Sequence, residues 1–335
     1  MTSRSPDLVL STPPFVRAAA TTPRIMLEVL AVALVVLAAA CWHFGLSALL
    51  VVAAASAGAV VTEWLFGHGD AAASLSDYSA LTTGVLLGLT LPPGLPLWMA
   101  FLGGAVGIGL GKLIWGGLGQ NLFNPALVGR AFLQSAFPTA ITTWSPPATA
   151  GGLLAAPSSL FALPLMRGSV DAVSSATPLG LAKFEHEITD LGALLLGQTT
   201  GSLGETNALL LILCGLWLGA RRLFDWRLPL ATLLSVAVLG GALHLASPAT
   251  HPPPVFMLLS GGLLFGAVFM VTDPVTTPTT PRGAWIFGAG VGALVVLIRL
   301  FGGLPEGVMY AVLLMNALTP HLNRYTQPRP FGAGQ

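Results

Sequence analysis

Apolar runs long enough to cross a bilayer follow one another along most of this chain, and charge is confined largely to the intervals between them. A hydrocarbon core about 30 Å thick needs about 20 helical residues, and a backbone inside it must satisfy its own hydrogen bonds, so such runs fold as helices. Hydrophobic side chains make up 54% of the 335 residues and charged ones only 8%, against roughly a quarter charged in soluble domains. The expectation is an all-α integral membrane protein in contact with lipid. No nucleic-acid partner is expected.

Ten spans are predicted near 25–42, 45–66, 78–92, 96–115, 122–139, 206–220, 228–246, 254–271, 284–301 and 306–321. The third and sixth are short and lie beside Gly and Pro, where interrupted or re-entrant helices are expected. An N-terminal arm (1–23), which lacks the pattern of a signal peptide, precedes a first five-helix unit (24–139). A polar interval (140–205), a second five-helix unit (206–321) and a C-terminal tail (322–335) follow.

Basic residues test the count, because a wrong number of spans would scramble their distribution. With the N-terminus cytoplasmic, Arg4, Arg17, Arg24, Lys112, Arg221, Arg222, Arg227, Arg282, Arg324 and Arg329 fall inside, and Arg167 and Lys183 outside. That asymmetry predicts both termini cytoplasmic and the 140–205 interval on the outer face.

The halves carry matching marks. Gly84, Thr90 and Pro92 recur at the same spacing as Gly266, Thr272 and Pro274. Trp98 precedes Lys112 by fourteen residues, as Trp285 precedes Arg299. A duplicated unit of five spans must invert its second copy, and ligand sites in inverted repeats lie between the halves, near interrupted helices.

Polar residues at membrane depth are the candidates for function. In GGLGQNLFNPALVGR (116–130), Gln120, Asn121 and Asn124 bring amides into an apolar setting, although Pro125 also suits an ordinary helix start. The stretch TDPVTTPTTPRG (272–283) holds Asp273 in a hydroxyl-rich loop, which otherwise reads as a solvated turn. Glu63 and Arg130 fall in the same half of their spans and suggest an ion pair, and Glu28 and Arg299 near span ends read as snorkelling. Cys41 and Cys214 are isolated in apolar runs, and the six histidines show no metal-ligand spacing, so no metal site is expected.

The remaining stretch is VDAVSSATPLG (170–180), a hydroxyl-rich turn that by chemistry alone is an exposed loop with a helix start. It is similar to the D-x-x-[ST]-x-A-T element of membrane flavoproteins. PRIMLEVL (23–30), DYSALTTGVLLGLTLPP (77–93), GKLIWGGLGQNLFNPALVGRAFL (111–133), GSLGETNAL (201–209), FMVTDPVTTPTTPRG and IRLFGGLPEGVMYAVLLMNALTP (298–320) accompany it in order. Together they resemble the family formed by the D subunit of the Rnf ion-translocating electron-transport complex and its paralogue, the B subunit of the sodium-pumping NADH:quinone oxidoreductase. GGLPEG and the tail RYTQPRPFG favour the former; VGRAFL leans to the latter. Ser175 stands where members often have glycine.

The resemblance implies FMN attached to Thr177 through a phosphoester. A flavin transferase would recognise Asp171, Ser174 and Ser175 as part of its motif and work outside the cytoplasmic membrane. It also implies a second, non-covalent flavin, riboflavin, near Asn121, Asn124 and Asp273. The chain would be one component of a translocase in the bacterial inner membrane, not catalytic alone. It would sit among flavin and iron-sulfur subunits that move electrons between ferredoxin and NAD while Na+ or H+ crosses. It has no nucleotide-binding glycine fingerprint and no cysteine cluster. A solute channel or carrier, which five-span inverted repeats also suit, is the reading from another class.

Overall fold

The computed structural model describes residues 21–67, 74–147, 157–164, 175–248 and 250–328. Among them the chain is all-helical, with no strand. The principal helices are α1 (Thr22–Phe44), α2 (Leu46–Phe66), α3 (Ser79–Leu89), α4 (Leu97–Gly111) and α5 (Pro125–Ala136), then α6 (Ala208–Ala220), α7 (Arg227–Ala246), α8 (Pro254–Leu259), α9 (Pro281–Phe301) and α10 (Val308–Thr326). Five described helices are long and apolar enough to cross a membrane: α1, α2, α7, α9, and α4 with its continuation to Trp115. The helices α3 and α6 are shorter and apolar.

Glycine sets the closest approaches. A methyl group added at Gly58 of α2 would strike the Phe101 carbonyl of α4, and one at Gly104 the Ala55 carbonyl of α2. In the second half a Cβ at Gly288 of α9 would come 2.6 Å from the Leu228 carbonyl of α7, and one at Gly292 2.5 Å from the Thr232 carbonyl. Thus α2 packs on α4 and α7 on α9 by the same device, with backbone against backbone.

Two helices are interrupted, and in each case the freed carbonyls find donors, as a low-dielectric setting demands. At the end of α3, the N–H of Gly204 donates to Leu89 O (2.7 Å) and that of Leu203 to Leu91 O (3.1 Å). The eighth predicted span, taken as continuous over 254–271, is broken after Leu259 and resumes at Leu263–Phe265, then a wide π-turn over Gly266–Met270. The Arg299 guanidinium donates to Met257 O (2.6 Å) and Ser260 O (3.0 Å) at that break. Arg299 is therefore buried, at 3% exposure, and does not snorkel.

Further expectations are corrected. Glu63 does not pair with Arg130. Its Oε1 accepts from Lys112 Nζ at 2.6 Å, while Arg130 Nη1 donates to Glu205 Oε1 at 3.3 Å. Lys112, counted on the cytoplasmic side at the end of the fourth span, is buried and also donates to Ser79 Oγ at 2.6 Å, with Asp77 at 3.7 Å. The 272–283 loop is no solvated turn, since Thr272, Thr276, Thr277 and Thr280 are all buried.

Candidate functional site

Two cavities lie against the interrupted segments, and the residues singled out in the sequence divide between them. The first measures about 860 Å³ with its open mouth and is lined in part by Thr177, Arg130, Trp144, Glu205, Glu306 and Tyr310. The second, about 780 Å³, is lined in part by Asn121, Asn124, Asp273, Lys112, Thr82 and Phe269.

Thr177 has extended backbone and caps a short helical turn, Pro178–Gly180. Its Oγ1 accepts the Gly180 N–H at 3.1 Å. Pro178 after the cap suits a first helical turn, where its missing N–H costs nothing. The segment is held from several sides. Ser175 N donates to Trp144 O (2.9 Å), Thr200 Oγ1 donates to Ala176 O (2.6 Å), and Leu179 packs with Leu194 and Phe256. Lys183, one turn on, directs its ammonium at three carbonyls at and beyond the C-terminal end of α9: Arg299 O (2.9 Å), Gly302 O (2.5 Å) and Leu304 O (3.0 Å). That cation on a helix C-terminus is favourable, although burial pushes its amine down from the ordinary lysine value. Asp171 and Ser174 lie outside the described residues.

The charged wall of the Thr177 cavity was missed as a site. Glu205 accepts from Arg130, and burial pushes its carboxyl above the ordinary glutamate value, against the pull of Arg130 and with a further push from Glu306. Glu306 is tightly engaged. It accepts N–H groups from Gly262 (2.9 Å), Gly307 (3.2 Å) and Val308 (3.4 Å), and Arg299 Nη2 at 3.4 Å. An isolated acidic residue in GSLGETN or GGLPEG carries no sequence signal of this convergence. Only the chain fold brings both carboxylates to the break at Gly261 and Gly262.

In the second cavity Asn124 does what its place before Pro125 predicts. Its Oδ1 caps α5 by accepting from Ala126 N (3.0 Å) and Leu127 N (3.3 Å). Asn121 differs: it is 6% exposed, donates to Phe123 O at 3.3 Å, and leaves its Oδ1 without a partner. Asn121 belongs to the lining of this cavity, and a buried amide oxygen with no partner calls for a donor, from water or a bound group. Asp273 turns its carboxylate on its own loop, accepting from Val275 N (3.2 Å) and Thr276 Oγ1 (3.1 Å), and burial pushes its carboxyl up. Asn316, unremarked in the sequence, ties both segments together. Its Oδ1 accepts from Asn124 N and its Nδ2 donates to Thr276 O, each at 3.2 Å. The signal available was one amide inside the apolar run of α10.

Among the described residues, no cluster of three or more His, Cys, Asp or Glu could hold a metal ion. Residues 9–332 match the model of the NQR2, RnfD, RnfE family. The chain is 42% identical over 325 residues to the D subunit of the ion-translocating oxidoreductase complex of Stutzerimonas stutzeri, covering 92% of each chain. It is 40% identical over 302 residues to the D subunit of the proton-translocating ferredoxin:NAD(+) oxidoreductase complex of Clostridium ljungdahlii, covering 87% of this chain and 86% of that one. To the D subunit of the ion-translocating oxidoreductase complex of Salmonella paratyphi B it is 39% identical over 332 residues, 93% of this chain and 94% of the relative.

Proposed function

The chain belongs to the NQR2, RnfD, RnfE family, and from that membership we propose that it is the D-type membrane subunit of a complex coupling ferredoxin:NAD electron transfer to ion movement. It carries FMN on Thr177 in this reading, and riboflavin in the Asn121 cavity. The relatives at 40% and 42% identity, named as D subunits of a proton-translocating ferredoxin:NAD(+) oxidoreductase and of an ion-translocating oxidoreductase, support the assignment over the quinone-reducing paralogue. The other members of such a complex, flavin and iron-sulfur proteins, are its partners, and a flavin transferase matures it. It resides in the bacterial inner membrane.

Ten crossings with both termini cytoplasmic, arranged as two inverted five-helix units, complete the proposal. The matched Gly contacts of α2 on α4 and α7 on α9, and the two interrupted helices, support the repeat.

The observation that carries the flavin assignment is the placing of Thr177: a hydroxyl on the wall of an 860 Å³ cavity that also presents Trp144, Tyr310 and Arg130. Rings offer stacking surface for a planar ligand. A bound isoalloxazine supplies the electron-carrying chemistry, and the protein supplies position and field. Ser175 N, Ala176 O and Lys183 hold the attachment segment still. Arg130 offers the cavity positive charge, and Leu179 with Leu194 and Phe256 anchors the turn through apolar contact. In the second cavity Asn121 Oδ1 would accept from the ligand, Asn124 and Asn316 fix the helix start behind it, and Lys112, paired with Glu63, lies in the wall.

Thr177→Val is expected to insert in the membrane at wild-type level and to lose covalent flavin, read by in-gel flavin fluorescence after denaturation and by peptide mass. Retention of the flavin in that variant would move the attachment elsewhere. A chain with no fluorescence at all would favour a non-redox channel or carrier.

A further inference from the structure

Three charged side chains, Arg130, Glu205 and Glu306, line the Thr177 cavity, and Arg299 backs Glu306 at 3.4 Å, so the cluster is neutral when all four are ionised. On the reading that FMN is esterified to Thr177, its phosphodiester adds one negative charge. An arriving electron would add a second, in a partly buried setting where uncompensated charge is expensive. Something of positive charge must arrive with the electron, and the two carboxylates differ sharply in their capacity to accept it.

Glu306 is committed to the ionised form by four donors: three backbone N–H groups and the Arg299 guanidinium. Donors that favour a carboxylate oppose its protonation. Glu205 has one charged donor, Arg130 Nη1 at 3.3 Å. That is longer than the 2.7–2.9 Å of a tight charge-assisted bond. Its side chain is 8% exposed, and Arg130 is the one cation lining this cavity among the described residues. A guanidinium that serves both Glu205 and a ligand cannot fully satisfy each at once.

We infer that Glu205 is the redox-linked proton acceptor of the Thr177 cavity. When one electron enters the tethered flavin, Arg130 exchanges Glu205 for the added negative charge, and Glu205 binds one proton. The electron comes from a one-electron donor in a neighbouring protein of the complex, an iron-sulfur centre or another flavin, and the proton from water at the cavity mouth. Cavity charge is unchanged by the paired uptake, and oxidation releases both. The groups facing Glu205 are Arg130 from α5, Glu306 from the loop ahead of α10, Tyr310 from α10 and Ser202 in its own loop, with Arg299 from α9 behind Glu306. Of these only Glu306 adds negative charge, which favours the protonated form of Glu205. The upward push of burial on the Glu205 carboxyl acts in the same direction.

The test is a potentiometric titration of the full-length chain carrying its covalent flavin, repeated across pH. One proton per electron gives a midpoint falling about 59 mV per pH unit, since a pH unit is a tenfold change in proton activity. Wild type and Glu205→Asp are expected to show this slope, Glu205→Gln to lose it with the flavin still attached. An unchanged slope in Glu205→Gln, with covalent flavin intact by mass, overturns the inference and leaves the Thr177 assignment standing. A wild-type chain without covalent flavin removes that assignment and this inference with it. Should Glu205→Gln fail to fold, redox-difference infrared spectra of wild type with labelled glutamate decide. A protonated-carboxyl band rising on reduction is expected, and its absence overturns the proposal.

Discussion

Lys112 and Glu63 form a buried ion pair that is costly to break from one side. Lys112 is 3% exposed and Glu63 fully buried, their charges 2.6 Å apart, with Ser74 Oγ also on Glu63 Oε1 at 2.6 Å. Removing one member of a buried pair leaves the other uncompensated, a loss of about 3–5 kcal/mol. Lys112→Met is therefore expected to lower thermal stability in detergent by that order, and the double variant Lys112→Met/Glu63→Gln to recover much of it. The sequence placed Glu63 and Arg130 at similar depth and paired them; depth is legible in a span, but which neighbour a helix face meets is not. Asn124 was legible because its role is local, a cap on the next few residues, whereas Asn316 works across 192 residues of chain. Glu205 gives a pH prediction. Its carboxyl is raised in the folded state from the ordinary 4.5, so its contribution to stability is present below that value and lost as pH rises through the raised one. Melting curves across the acid range should show this loss in wild type and a flatter profile in Glu205→Gln.

At the scale of elements, the short third and sixth spans were visible as apolar runs too brief to cross straight, and both are short helices, α3 and α6. The break of the eighth span was not read from LLSGGLLF, although Ser260-Gly261-Gly262 is a turn signal there, because glycine is also common inside membrane helices. What breaks it is the left-handed backbone at Gly261 (φ +63°) together with an arginine 39 residues away that binds the freed Ser260 carbonyl. Gly261 also leaves room for Glu306, which a side chain there would strike. Helix packing supplies a paired test. Gly104→Val drives a branched side chain into the Ala55 carbonyl and is expected to prevent α2 from seating on α4. Gly109→Ala, whose nearest neighbour is Thr62 Cγ2 at 4.0 Å, is expected to be tolerated and to gain up to about 1 kcal/mol of helix stability. Folded yield and melting temperature of the purified chain separate the two.

For the whole molecule, the membrane class was legible from composition alone, since helices are what such runs can form in lipid. Sidedness rests on the basic residues, and one of the ten counted as cytoplasmic, Lys112, is buried in an ion network and carries no such information. With Cys41 and Cys214 replaced by Ser, a cysteine at exposed Glu187 should react with an impermeant thiol reagent in intact cells. One at exposed Arg222 should react only after permeabilisation. The reverse pattern would place Thr177 inward. On the proposed function each of two cavities holds a flavin, one tethered to the Thr177 hydroxyl and one beside the unpaired amide oxygen of Asn121. Intact mass and a visible spectrum of the purified wild-type chain, taken before and after denaturation and filtration, count both. One FMN retained by mass and one riboflavin released is the predicted result. A colourless chain of unmodified mass would contradict it.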